Sequence, residues 1–214
     1  HLTNVAYEDL AVSMQLFSLC GKVVLSEINL EPIGVTPICA HNTCTVDITI
    51  KIKNYDGEIL GFGNNETRLD AHYGYYYRAD IGLFEFSKGN VLTVTPLCDL
   101  TSLDFLRTLL NYPLASIMYQ RGFFSLHACA VRYLDRVFLF AGGTQRGKST
   151  LAAYIIKNGG QLISEDTSVM KISSGEVLVY PSYPMIKISD EAIGSPSVSL
   201  MQKNTNTTKI RVSW

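Results

Sequence analysis

One stretch constrains this chain more than any other. Gly142-Gly143-Thr144-Gln145-Arg146-Gly147-Lys148-Ser149 matches G-x-x-x-x-G-K-[ST] at every fixed position. Average composition produces that pattern by chance in about one chain in a hundred of this length. Its flanks narrow the reading further. Val137-Phe138-Leu139-Phe140-Ala141 reads as a buried strand directly before it. Leu151, Ala152, Tyr154, Ile155 and Ile156 give the segment after it the apolar face of a helix, stopped by Gly159-Gly160. Strand, glycine-rich loop and helix in that order are the style of an α/β layer.

The residue types suit phosphate. Glycines let the backbone wrap closely with its N–H groups pointing inward, and the following helix presents its positive end. Lys148 reaches β- and γ-phosphates, and the Ser149 hydroxyl can ligate Mg²⁺. The expected nucleotide contacts are Gly142, Gly143, Thr144, Gln145, Arg146, Gly147, Lys148, Ser149 and Thr150. The bland alternative is a glycine-rich turn with an incidental lysine.

A phosphate loop alone does not separate a kinase from a GTPase or a transporter ATPase; the neighbouring carboxylates do. Glu165-Asp166 follows the short strand Gln161-Leu162-Ile163. Carboxylates at the end of a strand beside the phosphate strand can hold Mg²⁺, and one of them can accept the proton of an attacking hydroxyl. A solvated acidic turn is the competing reading. His127 lies on the strand before the Leu134-Asp135-Arg136 turn, where it reads either as a hydrogen-bonded core histidine or as a catalytic one.

The rest of the chain sets the frame. Lys and Arg number 18 against 19 Asp and Glu, which leaves a net charge of −1 and argues against bulk electrostatic binding to nucleic acid. At 47% hydrophobic and 17% charged residues, the chain has the material for a packed core. No apolar run approaches the ~20 residues that cross a bilayer. The opening His1-Leu2-Thr3-Asn4 has neither an initiator Met nor a signal-peptide profile. Five scattered cysteines fit a reducing compartment better than a disulfide scaffold. The expectation is a soluble, cytoplasmic protein. Cys39-Ala40-His41-Asn42-Thr43-Cys44 offers three soft ligands, but zinc wants four with pair spacing, so an ordinary loop is the preferred reading. Asn65-Glu66-Thr67 and Asn206-Thr207-Thr208 match the glycosylation sequon and carry no meaning without a secretory signal.

Three regions are expected. Residues 1–98 form a β-rich, antiparallel subdomain. Its strands run over Lys22–Leu25, Thr45–Lys53, Tyr75–Arg78, Gly82–Phe86 and Val91–Thr95, with turns at Asn54-Tyr55-Asp56-Gly57 and Lys88-Gly89-Asn90. Residues 99–122 are a helical connector. Ser102 caps a helix with Leu103, Leu106, Leu109 and Leu110 on one side, and Pro113 opens a second through Leu114, Ile117 and Met118 to Gly122. Residues 123–214 form the phosphate-binding core, with strands at Phe123–Arg132, Gln161–Ile163 and Val177–Tyr180. A Ser/Thr/Asn-rich tail from Ser195 to Thr208 reads as mobile.

Ser125-Leu126-His127-Ala128-Cys129-Ala130-Val131, the loop Gly142 to Ser149, Ile163-Ser164-Glu165-Asp166 and Tyr180-Pro181-Ser182-Tyr183-Pro184 together resemble the HPr kinase/phosphorylase-like family. The branch they are most similar to is the small kinases of lasso-peptide biosynthesis, which phosphorylate a precursor peptide. The match covers about Ser125 to Ser189, with a weaker echo at Lys209-Ile210-Arg211-Val212. The resemblance implies an α/β, P-loop-containing core like that of PEP carboxykinases and HPr kinases. It implies ATP and Mg²⁺ as cofactors, a precursor peptide with an acceptor serine as partner, possible homo-oligomers, and no nucleic acid or membrane.

By the same resemblance the catalytic residues are Asp166, His127 and Lys148, and the metal residues are Ser149, Glu165 and Asp166. The HPr enzymes usually carry two aspartates at the acidic pair, so Glu165 is a departure and Asp166 the safer base. No copy of their further C-terminal motif is evident, so phosphorolysis is not expected. Lys209 and Arg211 either touch phosphate or substrate or are exposed cations. Tyr183-Pro184 either lines the cleft or forms a simple turn. The alternatives to a peptide serine kinase are a non-catalytic nucleotide-binding scaffold and a small-molecule kinase.

Overall fold

The computed structural model describes residues 14–39, 45–54, 57, 59, 61–143, 146–186, 200–201 and 210–212. In chain order the strands of the first region are β1 (Gln15–Leu19), β2 (Lys22–Ser26), β3 (Ile48–Ile52), β4 (Glu66–Leu69), β5 (Tyr73–Arg78), β6 (Gly82–Ser87) and β7 (Val91–Pro96). They form one seven-stranded sheet in the order β1-β2-β3-β7-β6-β5-β4. It is not antiparallel throughout, as the short turn-rich runs suggest: β3 runs parallel to both β2 and β7. The long excursion between β2 and β3, which includes a 3-10 turn at Glu31–Ile33, lets the chain re-enter the sheet in the same direction.

The alternation of β3 acts as its composition demands. Ile48 and Ile50 are fully buried while Lys51 faces water. The β6–β7 hairpin turns through the three residues Lys88-Gly89-Asn90, with Lys88 and Gly89 both left-handed at φ 52° and 66° and the Asn90 amide donating to the Ser87 carbonyl at 3.1 Å.

Helices α1 (Leu103–Leu110) and α2 (Tyr112–Gln120) pack on the inner face of this sheet. Ser102 caps α1, its hydroxyl accepting from the Phe105 amide at 3.2 Å. The buried face is Phe105, Leu106, Leu109 and Leu110; Leu103 is exposed, because a cap at Ser102 turns the first helical residue outward. Phe84 and Phe105 meet with ring centroids 5.9 Å apart. Asn111 closes α1 and opens α2, so the two helices share a corner. Arg121 ties the far end of α2 to the sheet, donating to Gly89 O at 2.9 Å and pairing with Asp47 at 2.7 Å.

The remainder contains β8 (Phe124–Leu126), β9 (Ala128–Tyr133), β10 (Arg136–Ala141), α3 (Lys148–Lys157), β11 (Gln161–Ser164), β12 (Ser168–Ser173), β13 (Glu176–Tyr180), β14 (Met185–Ile186), β15 (Leu200–Met201) and β16 (Ile210–Val212). The single strand expected over Phe123–Arg132 is two strands broken at His127. β8 joins a sheet ordered β16-β13-β12-β8, and β9 joins one ordered β10-β9-β11. Among the described residues β10 pairs with β9 alone, so it is an edge strand and half-exposed, not buried. The β9–β10 turn sits on Leu134-Asp135, and Arg136 already belongs to the strand.

One face of the β10-β9-β11 sheet packs Cys129 and Val131 against Ala152 and Ala153 of α3; the other packs Ala130 and Ile163 on Met170 and Val179. Leu151 and Tyr154, expected on the apolar face of α3, are exposed, since the small Ala152-Ala153 pair is what seats the helix. The architecture is therefore mixed α/β, dominated by sheet. No helix among the described residues is long and apolar enough to cross a membrane. Residues 195–199 and 202–208 of the expected mobile tail lie outside the described residues, as do Ala40 to Cys44 and Tyr55-Asp56; β15 pairs with β14.

Candidate functional site

Strand direction assembles the site. β10 and β11 both run antiparallel to β9, which lies between them, so they are parallel to each other and finish at the end where β9 begins. Ala141 stands opposite Ala128, and Ser164 opposite Ala130. The loop after β10, the acidic pair after β11 and His127 just ahead of β9 consequently meet at one sheet end. Sequence distance hides this; topology enforces it.

In the loop, the Lys148 ammonium donates to the carbonyls of Gly142 at 2.8 Å and Gly143 at 2.9 Å and lies 3.3 Å from Nε2 of His127. Gly147, left-handed at φ 83°, precedes α3, and no side chain caps the helix. An added Cβ on Gly142 or Gly147 would meet nothing within 4 Å. These glycines are needed for backbone shape, and they leave space over an uncapped helix N-terminus, the arrangement that receives an anion. Ser149 is half-buried, while Arg146 and Thr150 are exposed; Thr144 and Gln145 lie outside the described residues. His127 is exposed at the break between two sheets, not packed in the core.

The two acidic residues differ. Glu165 is buried, 2% of its side chain exposed, and pairs with Arg107 of α1, which is 15% exposed. Burial is the largest single influence and pulls the Arg107 guanidinium pKa down, but Glu165, Tyr183 and Asp166 together outweigh it, so the pKa stands above its ordinary value. Removing one partner of a pair buried this well costs about 3–5 kcal/mol. Asp166 instead lines a cavity of about 320 Å³, with His127 and Thr167 near it and Asn111 and Tyr112 of the helical corner across from it. Among the described residues, that lining holds neither Lys nor Arg.

A serine stitch fixes the acidic segment. The Ser164 and Ser168 hydroxyls are 2.7 Å apart, and Ser168 donates to the carbonyl of Ala128, the first residue after His127, at 2.9 Å. Tyr183 is buried beside the acidic pair; burial first, then the charge of Glu165, push its phenol pKa up. It donates to Oδ1 of Asn111 at 3.4 Å. Arg211 is in β16, opposite Leu178, and Lys209 lies outside the described residues.

Arg107, Asn111, Ser164 and Ser168 are the site residues that sequence reasoning missed. The serines were findable, since they stand on either side of the acidic pair in Ser164-Glu165-Asp166-Thr167-Ser168. Arg107 left no local signal: on its own helix it is a cation among leucines, and its partner lies 58 residues away.

Two hard-oxygen donors, the Ser149 hydroxyl and the Asp166 carboxylate, suit Mg²⁺. Among the described residues no three His, Cys, Asp or Glu side chains gather to hold a metal on their own. No protein-family model matches the chain, and no curated protein matches it.

Proposed function

We propose that this protein is an ATP-dependent kinase that phosphorylates a serine hydroxyl of a peptide, on a P-loop core of the PEP-carboxykinase and HPr-kinase kind. The observation that carries the reading is the meeting of the Gly142–Ser149 loop, His127 and Asp166 at one end of the β10-β9-β11 sheet, beside a cavity. The resemblance supports a lasso-peptide precursor as the substrate. Among the described residues the lining holds neither Lys nor Arg, which favours a neutral hydroxyl carried by a chain over an anionic metabolite.

Each group then has a task. Loop amides and Lys148 hold the triphosphate, with the Lys148 ammonium leaving the Gly142 and Gly143 carbonyls for the β- and γ-oxygens. Ser149 and Asp166 would hold Mg²⁺, which when bound neutralises phosphate charge. The serine Oγ attacks the γ-phosphorus in line. The new O–P bond forms as the bond to the β,γ-bridging oxygen breaks, ADP leaves, and the hydroxyl proton passes to the Asp166 carboxylate. Positioning and charge carry most of the rate.

The test is mass spectrometry of a serine-ended lasso precursor peptide incubated with protein, ATP and Mg²⁺, beside the Lys148→Ala variant. A gain of ~80 Da that needs Lys148 is the expected result. No gain, with ATP binding intact, overturns the peptide-kinase reading in favour of a nucleotide-binding scaffold or a small-molecule kinase.

A further inference from the structure

The helical connector reaches into the site. Arg107 lies in the last turn of α1, Asn111 follows one turn later on the same side, and the two contact different walls. Arg107 holds the Glu165 carboxylate, and Asn111 accepts from Tyr183. Glu165 is turned inward and Asp166 outward to the cavity. Glu165 and Asp166 are neighbours in the chain, so an anchor on the first restricts the orientation of the second. The serine pair pins the ends of residues 164–168; Arg107 pins the middle.

We propose that Arg107 is a positioning residue for the phosphoryl-transfer site. By holding Glu165 inward, it directs Asp166 into the cavity and keeps the second carboxylate away from the reacting groups. This rests on the kinase reading above. Without the ion pair, the middle of residues 164–168 loses its charged anchor, and Asp166, the next residue, loses the orientation that the anchor gives it. Misplacement of about 1 Å in such a site costs about a hundredfold in rate.

The decisive variant is the double replacement Arg107→Met with Glu165→Gln. It keeps the volume and leaves no unpaired charge, so a merely structural ion pair is replaced without loss. The expected result is a folded protein whose kcat falls by about a hundredfold while KM for ATP stays within about threefold. Arg107→Lys, which keeps a cation for Glu165, should recover most of that rate. Hydrogen exchange supplies a second readout: the amides of residues 164–168 should exchange at least about tenfold faster in the double variant and unchanged in Lys148→Ala.

Parental kcat in the folded double variant overturns the proposal, as does a loss expressed wholly in KM for ATP. If the parent protein transfers phosphate to no acceptor, the kinase reading fails by itself. The exchange arm then decides the positioning role, and unchanged protection of 164–168 overturns it.

Discussion

Lys148 Nζ stands 3.3 Å from Nε2 of His127, although the two residues are 21 positions apart and belong to different elements. An ammonium only donates, so a hydrogen bond here has Nε2 of His127 as its acceptor. The same ammonium takes two loop carbonyls. The site therefore holds its principal cation in place before any phosphate arrives, between the loop and the start of β9.

Replacing that cation should remove the charge that stabilises the transferring phosphoryl group. Lys148→Ala should lower kcat by about 10²–10³, the effect of deleting one well-placed donor at developing negative charge. Steady-state kinetics with a phosphorylatable peptide measures it. A loss under tenfold with unchanged KM would mean that Lys148 points elsewhere when nucleotide binds.

Asp166→Asn should separate binding from chemistry. The amide keeps the shape but cannot take a proton, so kcat should fall by about 10²–10⁴. Nucleotide affinity in the absence of metal should hold within a few-fold, since loop and Lys148 carry it. Calorimetric titration with ADP reads the second quantity, and a parallel collapse of both would assign Asp166 to nucleotide binding.

Local patterns in the chain were legible wherever one residue type decides an element. The Ser102 cap, the Pro113 helix start, the alternation from Ile48 to Ile52 and the Lys88-Gly89 turn all stand where they were expected. What was hidden is non-local. The parallel placement of β3 depends on where a long connection returns, and the break at His127 depends on β8 and β9 choosing different partners. The exposure of β10 depends on its pairing, among the described residues, with β9 alone. Loop and acidic pair were singled out because phosphate chemistry asks for those residue types, and the structure brings both to one sheet end. Arg107 was not, because an ion pair across 58 residues leaves no spacing to find.

Gly74 should be intolerant of any side chain. An added Cβ would lie 2.2 Å from Cε2 of the fully buried Phe86 and 2.5 Å from the Arg68 carbonyl, so neither neighbour can yield without moving strand or core. Gly74→Ala should destabilise by about 1–3 kcal/mol, the usual cost of overpacking. Each kcal/mol lowers Tm by about 2–4 °C in a domain of this size. Differential scanning calorimetry checks it; an unchanged Tm would show that β5 shifts freely.

Thiol chemistry should sort the cysteines by environment. Burial pushes Cys129 up to about 12, the neighbouring charges of Glu165 and Asp166 add to the shift, and Lys148 opposes it. Burial alone takes Cys20 to about 12. The thiolate is the nucleophile, and burial disfavours that charged form, so both residues stay protonated thiols at pH 8 and ionise only near pH 12. Cys39 is exposed. Iodoacetamide at pH 8 under native conditions should alkylate Cys39 and leave Cys20 and Cys129 unmodified until denaturant is added, as peptide mass mapping will show. Because Cys129 lies on β9 directly behind the acidic pair, native alkylation of Cys129 at the rate of Cys39 would mean that β9 and the 164–168 segment separate readily. The serine stitch and the Arg107–Glu165 pair would then not hold this end of the sheet closed.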